Sequence, residues 1–161
     1  MLLARLLRLL TRLHRIQPQI GRIQAFMLRR SGGRLRRSVL LAGGQPILAL
    51  TTTGRRSGRL RSTTLAYVRH DDGYAVGALN LGSDHDPAWS LNLRAHPRAW
   101  VDVAGDRLAV VAREASGEEA EHLWTRFIEQ LPQIRHTRRI AQRHVPMWVL
   151  QPAAAEKGAR A

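Results

Sequence analysis

Six short runs rich in apolar and β-branched residues, separated by turn formers, constrain this chain more than any other feature. They are Ile47–Thr53, Arg61–Arg69, Tyr74–Ala78, Ala99–Val103, Arg107–Glu114 and Val145–Leu150. Runs of this length read as strands, and Asp71-Asp72-Gly73 and Ala104-Gly105-Asp106 supply the turn chemistry of two hairpins. A helix is expected from Asp86, the N-cap before Pro87 at the first helical position, to about Ala95, where His96-Pro97 stops it. A second is expected from Ser116, which has capping-box spacing to Glu119, and it sets Ala120, Leu123, Trp124, Phe127 and Leu131 on one face. A basic helix from about Gln133 to Arg143 precedes the last strand. Antiparallel-type strands broken by one helix, with helices at both ends, predict an α+β arrangement around a small barrel.

The chain has 161 residues, enough for one domain with a true core. It has no cysteine, which excludes a disulfide framework, a thiolate nucleophile and a cysteine metal site, and fits a cytoplasmic setting. The net charge of +14 is concentrated in one half of the chain. Residues 1–70 hold 15 Arg and no acid, whereas residues 71–161 hold 11 basic and 12 acidic residues. A half so composed faces an anionic partner.

Residues 2–16 alternate leucine and arginine with helical period, so that Arg5, Arg8, Arg12 and Arg15 oppose a leucine face. Ile20, Ile23 and Met27 continue an amphipathic pattern after Pro18, up to Gly32-Gly33. The embedded charges exclude a spanning helix and a secretory signal. Two readings stay open: a helix docked on protein, or an interfacial helix on an anionic membrane, at the inner face of the plasma membrane. The chain thus divides into a basic helical arm (residues 1–36), a barrel domain (37–152) and a tail (153–161) expected to be disordered.

Between the first two strand runs stands the densest chemistry. Thr51-Thr-Thr-Gly-Arg-Arg-Ser-Gly-Arg-Leu-Arg-Ser-Thr-Thr64 combines four arginines, two glycines and hydroxyls on both flanks. Guanidinium forks, hydroxyls and turn N–H groups together suit a phosphate-bearing anion. A solvated basic hairpin is the plainer reading. The spacing is not that of a Walker A loop, and a strand follows rather than a helix. Asp84-His85-Asp86 is not read as a metal site, because Asp86 serves better as a cap and no second ligand pair accompanies it. No serine can be assigned a base and an orienting acid. Trp89 and Asn92 share a helix face: either a core anchor beside a surface amide, or an aromatic wall and an amide at a planar ring.

Leu50 to Arg61, Asp86-Pro-Ala-Trp-Ser-Leu-Asn-Leu-Arg-Ala-His-Pro97 and Val145-Pro-Met-Trp-Val-Leu-Gln-Pro152 resemble the deazaflavin-dependent nitroreductase family over about residues 20–152. The resemblance implies a split β-barrel related to FMN-binding folds, coenzyme F420 as cofactor and hydride transfer from its reduced form, F420H2. By the family pattern, Arg55, Arg56, Ser57 and Arg61 hold the phosphate and polyglutamate tail, with Ser62, Thr63 and Thr64 lining the same groove. Gly77, Ala78, Leu79 and Asn80 match the strand along the deazaflavin ring, and Ala88, Trp89, Ser90 and Asn92 match the helix segment that contacts it. The acceptor pocket is expected at Ala66, Leu131, Ile134 and Thr137, where nitroimidazole-reducing members carry tyrosines. That lining suits a quinone or an enone at least as well as a nitro compound. The N-terminal arm resembles the membrane-associating segment of relatives, and a homodimer is expected by analogy with small split barrels. The alternatives are an FMN-binding relative and a nucleic-acid-binding module, the latter disfavoured because the basic half offers only Phe26 and Tyr67 for stacking.

Overall fold

The computed structural model describes residues 37–38, 45–132, 134–141 and 143–153. The expected N-terminal helices and all but the first residue of the tail lie outside the described residues. Among the described residues eight strands are formed: β1 (Arg37–Ser38), β2 (Gln45–Thr53), β3 (Leu60–Ala66), β4 (Val68–His70), β5 (Gly73–Gly77), β6 (Arg98–Val103), β7 (Asp106–Glu114) and β8 (Met147–Pro152). Three α-helices accompany them: α1 (Ala88–Ala95), α2 (Gly117–Gln130) and α3 (Ile134–Ile140). A 3₁₀ turn, Asn80–Gly82, lies between β5 and α1.

Every strand pair is antiparallel. The pairings run β4–β5–β8–β7–β6–β2–β3, and β3 leads back into β4 through Tyr67. The expected single strand Arg61–Arg69 is therefore two strands with different partners. The first pairs with β2 (Ala66 opposite Ile47) and the second with β5 (Val68 opposite Ala75). At the switch, the Tyr67 carbonyl accepts a hydrogen bond from Gln130 Nε2 of α2 (2.8 Å), and the Tyr67 ring meets Tyr74 edge-on. This is the geometry of a split barrel.

Strand alternation divides the core. Inside the barrel lie Leu48, Leu50, Val101, Val110, Trp148 and Leu150, with Trp89 and Leu93 of α1 plugging one mouth. On the outer face of β5 and β8, Ala75, Met147 and Val149 pack under Leu123, Trp124 and Phe127 of α2. Both faces of β5 and β8 are thus covered, which is why their sequences are continuous apolar runs, whereas β6 and β7 alternate. Gly77 is required by this packing: a Cβ there would lie 2.7 Å from the Trp124 ring. Ala104 and Gly105 both take positive φ (55° and 101°), as a two-residue hairpin turn demands.

Three local expectations need correction. Pro87, not Asp86, is the N-cap of α1, because the two Asp86 carboxylate oxygens are taken by Arg94 and Arg143. Ser116 does occupy the N-cap of α2, but it makes no side-chain cap bond. Its supposed box partner Glu119 faces Arg113 and His70 instead. The last helix ends at Ile140, and Arg143 beyond it points back into the fold.

Candidate functional site

The basic stretch folds as a tight turn. Gly54 N–H donates to Arg59 O (2.8 Å), and the N–H groups of Ser57 and Gly58 both donate to Gly54 O. Gly58 takes φ +63°, and a Cβ on Gly54 would meet Ser57 Oγ at 2.9 Å and Arg59 O at 3.1 Å. Both glycines are therefore needed by the turn itself. It hangs from α1: the buried Asn92 side chain accepts from Arg55 N (3.1 Å) and donates to Thr52 Oγ1 (3.1 Å).

Arg55, Arg56, Ser57, Arg59 and Arg61 are exposed. Among the described residues, none of these four arginines pairs with a carboxylate. Asp86, Glu114, Glu119 and Glu121 are instead matched with Arg94, Arg113, Arg138 and Arg143. Uncompensated guanidiniums at one rim form a site for an anion. Ser62 and Thr63 are half-buried and Thr64 buried, and Ser62 Oγ lies 2.8 Å from Thr51 Oγ1.

β3 leads away from this turn. One edge of β3 pairs with β2, and its other edge has no strand partner among the described residues. The β4–β5 register sets Val68 opposite Ala75. The two segments expected along the cofactor, Ser62–Thr64 on β3 and Gly77–Asn80 from the end of β5 into the 3₁₀ turn, are separate parts of the barrel. In the second, Ala78 N donates to Pro146 O (2.9 Å) and Ala78 O accepts from Arg143 (2.7 Å). Asn80 takes φ +45°, and its amide donates to His85 O (3.0 Å) and lies 3.1 Å from His85 Nδ1.

The α1 segment is placed deeper than its motif implied. Ala88 is exposed, Trp89 belongs to the barrel core, and Ser90 is fully enclosed, its hydroxyl accepting from Trp148 Nε1 (2.8 Å). Ala66, Leu131 and Ile134 converge on the core beneath α2, and Thr137 sits half-buried on α3, which packs beside the Asn80–Gly82 turn. Sequence reasoning missed Arg143 and misread Asp86. No local signal linked them, because Asp86 precedes α1 and Arg143 lies 57 residues further on. Among the described residues no His/Cys/Asp/Glu cluster could hold a metal. Unneutralised cations beside a largely apolar barrel suit a flat ring with a charged tail, so the residues present fit a deazaflavin coenzyme.

A family profile described as F420H(2)-dependent quinone reductase matches residues 20–152. An F420H(2)-dependent quinone reductase of Mycobacterium tuberculosis is 32% identical over 98 residues, 60% of this chain and 64% of that protein. The match thus spans just under two thirds of that relative's length. A solved F420-H2 dependent reductase superposes with TM-score 0.61 at 33% identity, covering 66% of this chain and 94% of its own. A second solved chain, described as a domain-swapped dimer, gives TM-score 0.62 at 33% identity over 66% of this chain and 80% of its own. A heme-storage protein of Vibrio cholerae shares the fold alone, at 16% identity and TM-score 0.52 over 78% of this chain and 88% of its own. With the profile covering the whole barrel and the arginine turn, this chain belongs to the F420H(2)-dependent quinone reductase family.

Proposed function

We propose that this protein transfers a hydride from reduced coenzyme F420 to a quinone or another conjugated, electron-poor acceptor. The observation that carries the reading is the set of arginines without carboxylate partners among the described residues, on the turn between β2 and β3. When bound, the coenzyme supplies the hydride. The chain's residues bind, orient and exclude water. Arg55, Arg56, Ser57 and Arg61 grip the phosphate and acidic tail. Ser62, Thr63 and Thr64 line the same groove, and Gly77, Ala78, Leu79 and Asn80 lie along the ring. Ala88 and Trp89 border the ring, while Ser90 and Asn92 act from beneath, by holding Trp148 and the arginine turn. Ala66, Leu131, Ile134 and Thr137 form the acceptor side, and their aliphatic character favours quinones and enones over nitro compounds.

Titration with oxidised coenzyme F420 should give micromolar or tighter binding. Arg55→Ala or Arg61→Ala should weaken it about ten- to hundredfold, from roughly 1.5–3 kcal/mol per lost charged contact. An unchanged deazaflavin spectrum on titration would sink the reading. Stopped-flow oxidation of F420H2 against quinones, enones and nitro compounds should rank quinones first.

Two further proposals concern assembly. Residues 2–16 attach peripherally to anionic membrane, on the strength of their arginine and leucine faces. Flotation with vesicles containing phosphatidylglycerol, but not with neutral ones, is the expected result. Among the described residues no helix is long and apolar enough to cross a membrane. A homodimer is proposed from the fold, and light scattering of the full chain should show twice the monomer mass. The barrel domain is assigned to residues 37–152, between the basic arm and the tail.

A further inference from the structure

The side chain of Arg143 is only 12% exposed, and its guanidinium reaches across to the segment between β5 and α1, which the deazaflavin reading sets along the ring. Nη2 donates to Ala78 O (2.7 Å), Nε to Ser83 O (2.9 Å), and Nη1 to His144 O (3.0 Å) and to Asp86 Oδ1 (2.5 Å). Asp86 is as enclosed as Arg143, and its other oxygen takes Arg94 Nη1 at 2.6 Å. Between Ala78 and Asp86 the backbone forms only one short 3₁₀ turn and includes Asn80 at positive φ. Start, middle and end of that segment are thus tied to one planar fork. An ammonium, with a single nitrogen on a flexible stem, does not span acceptors arranged around such a plane.

We infer that Arg143 is a positioning residue for hydride transfer, fixing the wall on which the ring lies, while the arginine turn supplies affinity. The inference rests on the deazaflavin reading and deepens it. The two tasks belong to separate parts of the chain. The turn is hung from Asn92 of α1, and the wall is held by a side chain from beyond α3. Loosening the wall leaves the tail gripped but lets the ring drift from its acceptor. A misplacement on the order of 1 Å costs about a hundredfold in rate.

The test compares full-length wild type with Arg143→Met and Arg143→Lys, the latter keeping a cation beside Asp86 if the Met variant does not fold. Arg138→Met serves as a structural control, since Arg138 pairs with Glu121 and stacks on Trp124. Three quantities are read: amide hydrogen exchange of residues 78–86 in the unliganded protein, the Kd for oxidised F420, and the single-turnover oxidation of bound F420H2 by menadione. For Arg143→Lys we expect faster exchange confined to residues 78–86. Its Kd should stay within about threefold of wild type and its transfer should slow about a hundredfold. Wild-type transfer by Arg143→Lys overturns the inference. So does a variant whose Kd, rate and exchange protection fall together across the barrel, or an equal rate loss in Arg138→Met. Failure of the wild type to bind F420 overturns the deazaflavin reading itself, and is distinct from a variant that binds and transfers normally.

Discussion

Both ends of the Asn92 amide are committed within the chain, to Arg55 N and Thr52 Oγ1. Asn92→Ala should leave a buried hydroxyl and a turn N–H without their partners, costing about 1–3 kcal/mol in urea unfolding. Because the turn then swings free, F420 affinity should fall by about tenfold although no residue of the tail grip has changed. Helical spacing revealed that Trp89 and Asn92 share a face. It did not reveal what lies opposite, because the partners are 37 and 40 residues away in sequence. Asp86 was misread for a related reason: an N-cap and a buried ion pair draw on the same residue type, and only the approach of Arg143 decides between them. Gly77 was read as a ring contact, and its tightest neighbour is the Trp124 ring. Gly77→Ala should destabilise by about 1–3 kcal/mol through overpacking, seen as a lower melting temperature even without cofactor.

The join between α2 and the barrel carries a pH dependence. Glu119 accepts from both terminal nitrogens of Arg113 (2.6 Å each) and lies 3.1 Å from His70 Nε2. Chiefly through the Arg113 bonds, against a burial cost and with help from His70, its carboxyl is lowered from 4.5 to about 2. A depressed folded value means that the contribution is fully present above pH 4.5 and fades as pH falls through about 2. The Glu119 side chain is 31% exposed, so solvent screening limits the effect to about 1 kcal/mol. Melting temperatures from pH 5 down to pH 2 should therefore fall less steeply in Glu119→Gln than in wild type. At this scale the sequence was informative. Five of the six strand runs and the buried face of α2 were legible, because each rests on local alternation or helical period. The break at Tyr67 was not legible. Nothing in Arg61–Arg69 marks a change of partner, which is set by β5 and by Gln130 from afar.

For the whole molecule, the asymmetry of charge was plain from the sequence, and so was the arginine-rich turn between β2 and β3. What could not be read was the circuit of strand pairs that places β8 between β5 and β7 and sends β3 and β4 to different partners, since that depends on the closure of the whole sheet. The first 70 residues, with 15 Arg and no acid, should bind random single-stranded oligonucleotides weakly at low salt. Filter binding should show that association vanishing between about 50 and 200 mM salt, while F420 binding persists. Oligonucleotide affinity that survives 200 mM salt, without any F420 binding, would instead support a nucleic-acid module.

The strand break at Tyr67 also bears on how the barrel is assembled. β2–β3, β4–β5 and β6–β7 are hairpins between near neighbours, and such local pairs form early. β8 must then enter between β5 and β7, pairing Tyr74 with Leu150 across most of the domain. During synthesis the earlier hairpins would stand with the β5 and β7 edges open until β8 has left the ribosome. With those two strand edges open, that interval is when the chain is most exposed to wrong pairing.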